Sequence, residues 1–163
     1  MIEEYKKILE RSKSRYQQNK AMGRKLKKMR PKELVKLFQE LHDDAFLEID
    51  CLSCANCCTS VGPLVNEQDI ERIGKALRLK RKEVIESYLI IDEDNDYVFK
   101  EHPCPFLCGD NHCLIYTERP KACREYPHTD QRYIHRYMKQ TLENSRLCPA
   151  VALMFEEMQR RGL

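Results

Sequence analysis

CLSCANCC, residues 51–58, puts Cys51, Cys54, Cys57 and Cys58 into one short segment. Two-residue spacers let a tight turn aim successive sulfurs at one point, as in zinc knuckles and iron-sulfur loops. A free cysteine packs well as a small apolar side chain, but a hydrophobic core has no use for four of them so close together. Adjacent Cys57 and Cys58 add a restriction, because neighbouring side chains do not converge easily on one tetrahedral ion. Either one ligates and the other packs, or the two serve different metals or a multi-metal cluster. Thiolates are soft donors, which narrows the choice to zinc, iron-sulfur or Cu(I) and disfavours magnesium, calcium and manganese.

Further along lie Cys104, Cys108, Cys113, Cys123 and Cys148. They contain no second CxxC, so a ribbon of two zinc knuckles does not fit. Three cysteines at two-residue spacing with a remote Cys148-Pro149 are similar to a bacterial ferredoxin loop, without its compact final gap. Both metals stay open. His102, His112 and His128 flank this segment and are candidate additional ligands, since imidazole replaces thiolate in either metal class. Arg119, Lys121, Arg124, Arg132 and Arg136 are cations suited to offset the negative charge of a thiolate site.

The chain has 163 residues, enough for one domain plus extensions. The first twenty residues lack the apolar stretch of a secretion signal, and no segment reaches the roughly 18 apolar residues of a membrane helix. A cytoplasmic protein is expected, and nine cysteines in a reducing compartment point to metal rather than disulfides. Residues 1–36 hold 13 Lys or Arg against 4 Glu, a balance of +9 within an overall +3, which leaves the remainder at −6. Most such runs are solvated helix faces, yet a basic arm also suits nucleic acid or an acidic protein. The expected division is a basic helical arm over 1–30 and a cysteine-cluster domain over 31–163.

Hydrophobic periodicity predicts a mainly α fold with short, irregular β pairing, a small metal-stabilised domain. Residues 3–29 read as a lysine-rich helix with a sparse apolar stripe of Tyr5, Ile8 and Leu9. Pro31 starts a second helix whose Leu34, Phe38, Leu41 and Ala45 face a core and which leads into the cysteines. Asn66 and Asp69 form an N-terminal cap for a helix carrying Ile70, Ile73 and Leu77, and a short helix follows over 82–89. Asp92, Asp94 and Asp96 resemble the start of a calcium loop, but Tyr97 and Pro103 occupy the positions needing Gly and Glu, so a turn is expected. Tyr97–Phe99 and Leu114–Tyr116 are predicted to pair as strands, and helices to run through Ile134–Leu142 and from Pro149. Cys148 then precedes a helix N-terminus, which should ease thiolate formation.

CLSCANCC at 51–58, CPFL at 104–107, CLIYTERPKACREYP at 113–127 and CP at 148–149 together resemble the YkgJ-like cysteine-cluster family, described as zinc- or iron-chelating. The resemblance implies eight metal-associated cysteines: Cys51, Cys54, Cys57, Cys58, Cys104, Cys113, Cys123 and Cys148. Cys108 is extra to the pattern, and Ala55 stands where the family often has glycine. Tyr116 and Tyr126 are expected to shield the site, while Arg119 and Arg124 donate to carbonyls or metal-bound sulfurs.

The leading expectation is a metal-binding protein whose thiolate centre, Zn2+ or an iron-sulfur cluster, stabilises the fold or handles metal. A related cysteine domain occurs in flagellin lysine N-methylases, so an iron-sulfur enzyme is one alternative, although no glycine-rich loop or acid-base pair identifies catalytic residues. The other is a zinc-stabilised adapter that binds nucleic acid or acidic protein through residues 1–30.

Overall fold

The computed structural model describes residues 1–163. In chain order the elements are α1 (Glu3–Ser14), α2 (Tyr16–Leu26), α3 (Pro31–Glu48), α4 (Cys51–Cys54), α5 (Asn56–Ser60), α6 (Glu67–Leu77), α7 (Arg81–Tyr88), β1 (Leu89–Ile91), β2 (Tyr97–Phe99), α8 (Lys121–Glu125), α9 (Ile134–Asn144) and α10 (Pro149–Arg160). The chain is therefore mainly helical with one short antiparallel pair, as the periodicity predicts. No helix is long and apolar enough to cross a membrane. Two compact units divide it: a terminal unit of Met1–Cys54 with Pro127–Leu163, and a central unit of Ala55–Tyr126.

In the terminal unit α10 packs on both α1 and α3. Leu34, Phe38, Leu41 and Ala45 recur at helical spacing and form the buried face of α3, and α10 buries Val151, Met154, Phe155 and Met158. Each such side chain contributes about 1.5–3 kcal/mol through removal from water.

The first thirty residues are not a free arm within this unit. They form two helices, with the chain turning at Arg15 (φ −97°, ψ 13°), and they bury Tyr5, Ile8, Leu9, Met22 and Leu26. The stripe looked sparse because two of its members are polar. Ser12 is 1 % exposed and donates to the Ser145 carbonyl at 2.6 Å. Asn19, also 1 % exposed, donates to Ser12 Oγ at 3.2 Å and accepts from Gln159 Nε2 at 2.7 Å. Hydropathy does not register such residues, yet hydrogen-bonded polar groups extend the buried face at little cost.

The central unit has a smaller core of Val65, Ile70, Ile73, Val84, Leu89, Phe99, Phe106 and Ile115. The expected cap is present: Asn66 Oδ1 accepts from the Asp69 amide at 2.9 Å, and Asp69 Oδ2 accepts from the Asn66 amide at 3.1 Å. At the other end of α6 the chain turns back through Arg78 in the left-handed region (φ 57°), and the Leu79 amide donates to the Gly74 carbonyl at 2.9 Å. A Cβ at Gly74 would lie 2.8 Å from the Leu79 carbonyl oxygen, so this tight return needs glycine.

β2 does not pair with 114–116 as predicted. It pairs with β1, in the register Leu89–Phe99, Ile90–Val98 and Ile91–Tyr97. The reason is local: Asp92 Oδ1 accepts the amides of Asp94 at 3.0 Å and Asp96 at 2.9 Å, closing a tight hairpin turn directly after β1. The same bonds make this segment the turn expected from the mismatched calcium pattern. Leu114–Tyr116 instead lies in an irregular stretch, where the Leu114 amide donates to the Phe106 carbonyl at 2.8 Å and Leu107 bridges to Cys113.

Candidate metal centre

The chain passes from one unit to the other between Cys54 and Ala55, so the CLSCANCC segment is divided between them. Cys51, Cys54 and Cys148 belong to the terminal unit. Cys57, Cys58, Cys104, Cys113 and Cys123 belong to the central unit, with Cys108.

In the terminal unit, Cys51 and Cys54 stand three apart on the single turn of α4, which directs them to one side. Asp50 holds this turn, accepting from the amides of Leu52 at 3.1 Å and Ser53 at 3.0 Å. α1 holds it too. The Tyr5 hydroxyl donates to the Glu48 carbonyl at 3.2 Å and accepts from the Asp50 amide at 2.9 Å, and the Ile2 amide donates to the Ser53 carbonyl at 3.1 Å. Cys148 caps α10 and is buried, as is Cys54, whereas Cys51 is exposed. The helix end eases ionisation of Cys148 in the direction the sequence suggests, but burial prevails. Burial pushes its thiol up to about 12, outweighing the helix amides of Val151 and Ala150, and negative charge on Cys54 or Cys51 acts in the same upward direction.

In the central unit, Ala55 takes the left-handed conformation (φ 49°, ψ 14°) that the glycine of the family pattern would supply, and it opens α5. Cys57 and Cys58 follow with their Sγ atoms 4.0 Å apart. Neighbouring side chains thus do approach one point here, despite the divergence expected of adjacent residues. The Cys104 amide donates to the Cys58 carbonyl at 2.8 Å, tying the second cysteine segment to the first. A turn through Asn111 (φ 66°), closed by the Cys108 amide on the His112 carbonyl at 2.8 Å, then presents Cys113. Cys123 sits on α8, a helix that the sequence reading did not predict. Asp69, fully buried, fixes its start by accepting from the Lys121 amide at 3.1 Å, a link between residues too far apart for any local pattern to reveal.

These thiols influence one another. Hydrogen bonding with Cys57 lowers the Cys58 thiol to about 7, against burial and with help from the Arg119 charge. Burial raises Cys104 to about 11 and Cys123 to about 12, with negative charge on the neighbouring cysteines adding to both shifts. Cys113 is also raised, mainly by burial. Cys108 contributes a raising charge at Cys113, so the cysteine outside the family pattern lies within electrostatic reach of one inside it.

The flanking residues divide more plainly. His112 is exposed, with Nδ1 3.3 Å from Asp110, and His102 is exposed beside Gly62. His128 belongs to the terminal unit and stacks on Tyr137 at 5.3 Å. Tyr116 is not a shield: it is 58 % exposed, and the Arg119 guanidinium carbon lies 3.8 Å over its ring. Arg132 and Arg136 lie in the terminal unit, and Arg136 covers Tyr133 at 4.9 Å.

The donors fit a soft metal. Zn–S bonds of about 2.3 Å in a tetrahedron set neighbouring sulfurs about 3.8 Å apart, close to the Cys57–Cys58 separation. No three His, Cys, Asp or Glu side chains are close enough to hold an ion as they stand, so binding requires the other sulfurs to move inward. Clustered thiols on short, backbone-pinned turns define a small metal-chelating class of domain. The family model that matches residues 50–149 is CxxCxxCC, "Putative zinc- or iron-chelating domain". With more than half of the 163 residues matched, the chain belongs to this family. No curated protein and no solved structure matches it.

Proposed function

We propose that this is a cytoplasmic metal-binding protein whose cysteine thiolates hold zinc or an iron-sulfur centre. The candidate ligands are Cys51, Cys54 and Cys148 within the terminal unit and, taken separately, Cys57, Cys58, Cys104, Cys113 and Cys123 within the central one. The observation that carries this reading is the Cys57–Cys58 pair at 4.0 Å, within electrostatic reach of further thiols. Two sulfurs at that spacing suit one tetrahedral metal. Zinc requires such a pair, and so does each iron of a two-iron cluster held by four cysteines, whereas a four-iron cluster takes one thiolate per iron. The spacing therefore favours zinc or a two-iron centre.

A bound zinc supplies a structural cross-link, and an iron-sulfur centre supplies one-electron chemistry. The protein's own part is to release protons from Cys104, Cys113 and Cys123, whose thiols burial keeps protonated, and to keep water from the buried sulfurs. Metal handling is the second role, served by the movement the sulfurs must make to close on an ion. Anaerobic purification followed by zinc, iron and sulfide analysis tests the reading. At least one zinc, or iron with sulfide, per chain is expected, and protein free of all three would refute it.

A partner-binding role for residues 1–30 is supported by Lys20, Arg24, Lys25, Lys27 and Lys28, which are exposed on and just after α2 and have no carboxylate partner. Electrostatic binding of nucleic acid or an acidic protein there must weaken as salt rises. Unchanged binding after neutralising these five would remove the role. The relation to flagellin lysine N-methylase rests on sequence resemblance alone, and no residue is assigned to catalysis.

A further inference from the structure

We propose that Arg119 is the N–H donor to the sulfurs of the central unit's metal centre, binding the thiolates through its Nε–H. The inference rests on the thiolate reading above and assigns a positioning residue within it. Arg119 Nε is buried and has no hydrogen-bond partner. A buried charged donor left unsatisfied costs free energy, so its partner is expected in the state the site is built for. No carboxylate pairs with this guanidinium. Its only ring contact, with Tyr116 at 3.8 Å, fixes the plane of the group without using an N–H.

The backbone beneath it is also held. The Arg119 carbonyl accepts from Arg124 at 3.3 Å and Arg72 at 3.5 Å, and the Lys121 amide, two residues on, is bound by Asp69. The guanidinium is thus constrained at both ends while one donor waits. Around it are thiols: its positive charge favours the ionised forms of Cys58, Cys113 and Cys123. A half-buried cation with cysteines for neighbours and no acid in contact is arranged to meet thiolate. Arginine suits the role better than lysine, because its planar fork keeps its charge and its donor directions fixed.

Hydrogen bonds to a metal-bound sulfur draw electron density from it and compensate its charge. The test is anaerobic titration of the full-length reduced protein with Co2+, following the sulfur-to-cobalt charge-transfer band. R119M is expected to bind about 10–100-fold more weakly and to move the band to lower energy. R119K, which keeps the charge, recovers part of the affinity, and K82M, at an exposed cation of α7 that faces Glu86, leaves both readouts unchanged. In wild-type protein loaded with an NMR-active cadmium isotope, the Arg119 Nε–H resonance is expected to couple to the metal through the hydrogen bond, a measurement that needs no variant. Wild-type affinity and band position in folded R119M, or an uncoupled Nε–H in the cadmium form, overturns the assignment and leaves the metal centre standing. A wild-type protein that takes up neither ion overturns both.

Discussion

In the terminal unit the cysteines lie just beyond the end of α3 and at the start of α10, helices whose large apolar side chains are sealed from water, with Phe38 1 % and Phe155 0 % exposed. In the central unit, residues 100–120 contain no helix or strand yet carry Cys104, Cys108 and Cys113. A stretch of that length without regular structure is uncommon in a compact unit unless it is functional or tied down. Backbone bonds such as Cys104 to Cys58 supply some of the ties, and a metal shared by its cysteines would supply the rest by closing the loop covalently. The difference teaches that one unit is stabilised by apolar burial, while the other leaves part of its ordering to its ligands.

The largest effect should come from removing the metal. Structural zinc contributes on the order of 10 kcal/mol to small domains. Chelation is expected to abolish hydrogen-exchange protection across 100–120 while α3 and α10 stay protected. Equal loss in both units, or loss in neither, breaks the comparison.

The converse perturbation is Phe155→Ala, expected to cost about 3–5 kcal/mol by urea denaturation, with metal content per folded chain unchanged. In the central unit, Gly74→Ala should cost about 1–3 kcal/mol, because the new methyl meets a backbone carbonyl and not a side chain that can move aside.

pH sharpens the contrast further. In metal-free protein the folded state holds Cys104 near 11 and Cys123 and Cys148 near 12, against an ordinary value of 9.0. Above pH 9.0 the folded chain therefore keeps protons that the unfolded chain has released. Stability from these groups is complete below that point and declines as pH rises toward about 12. Metal binding must expel the same protons, so affinity measured by chelator competition should increase with pH and proton release should accompany loading. An affinity independent of pH would show that the buried thiols are not ligands. The smallest change is Ala55→Gly, expected to stabilise by about 0.5–1 kcal/mol through relief of the left-handed strain, as read from the shift in urea midpoint.

Much of this organisation is legible in the residues, for reasons that also explain the failures. α3, α6 and α10 carry long apolar faces, and the Asn66–Asp69 cap lies within four residues, so pattern reading reaches them. β1 has no predicted counterpart, and only its first residue, Leu89, reads as the end of the preceding helix, because Leu89–Ile91 is short and uniformly apolar. α8, between Pro120 and Pro127, is too short to show a period. The packing of α1 and α2 hides behind Ser12 and Asn19. At the site, spacing identified the cysteines as a chemical group, but not their division between units at Cys54–Ala55, nor the closeness of Cys57 to Cys58. Ala55, which begins the central unit and opens α5, is left-handed, a backbone state that an alanine does not advertise.

The thiolate centre is tested most directly by X-ray absorption at the edge of whichever metal copurifies with the anaerobically prepared protein. The account predicts a nearest shell of sulfur alone, at about 2.3 Å for zinc. A shell dominated by nitrogen or oxygen would contradict it.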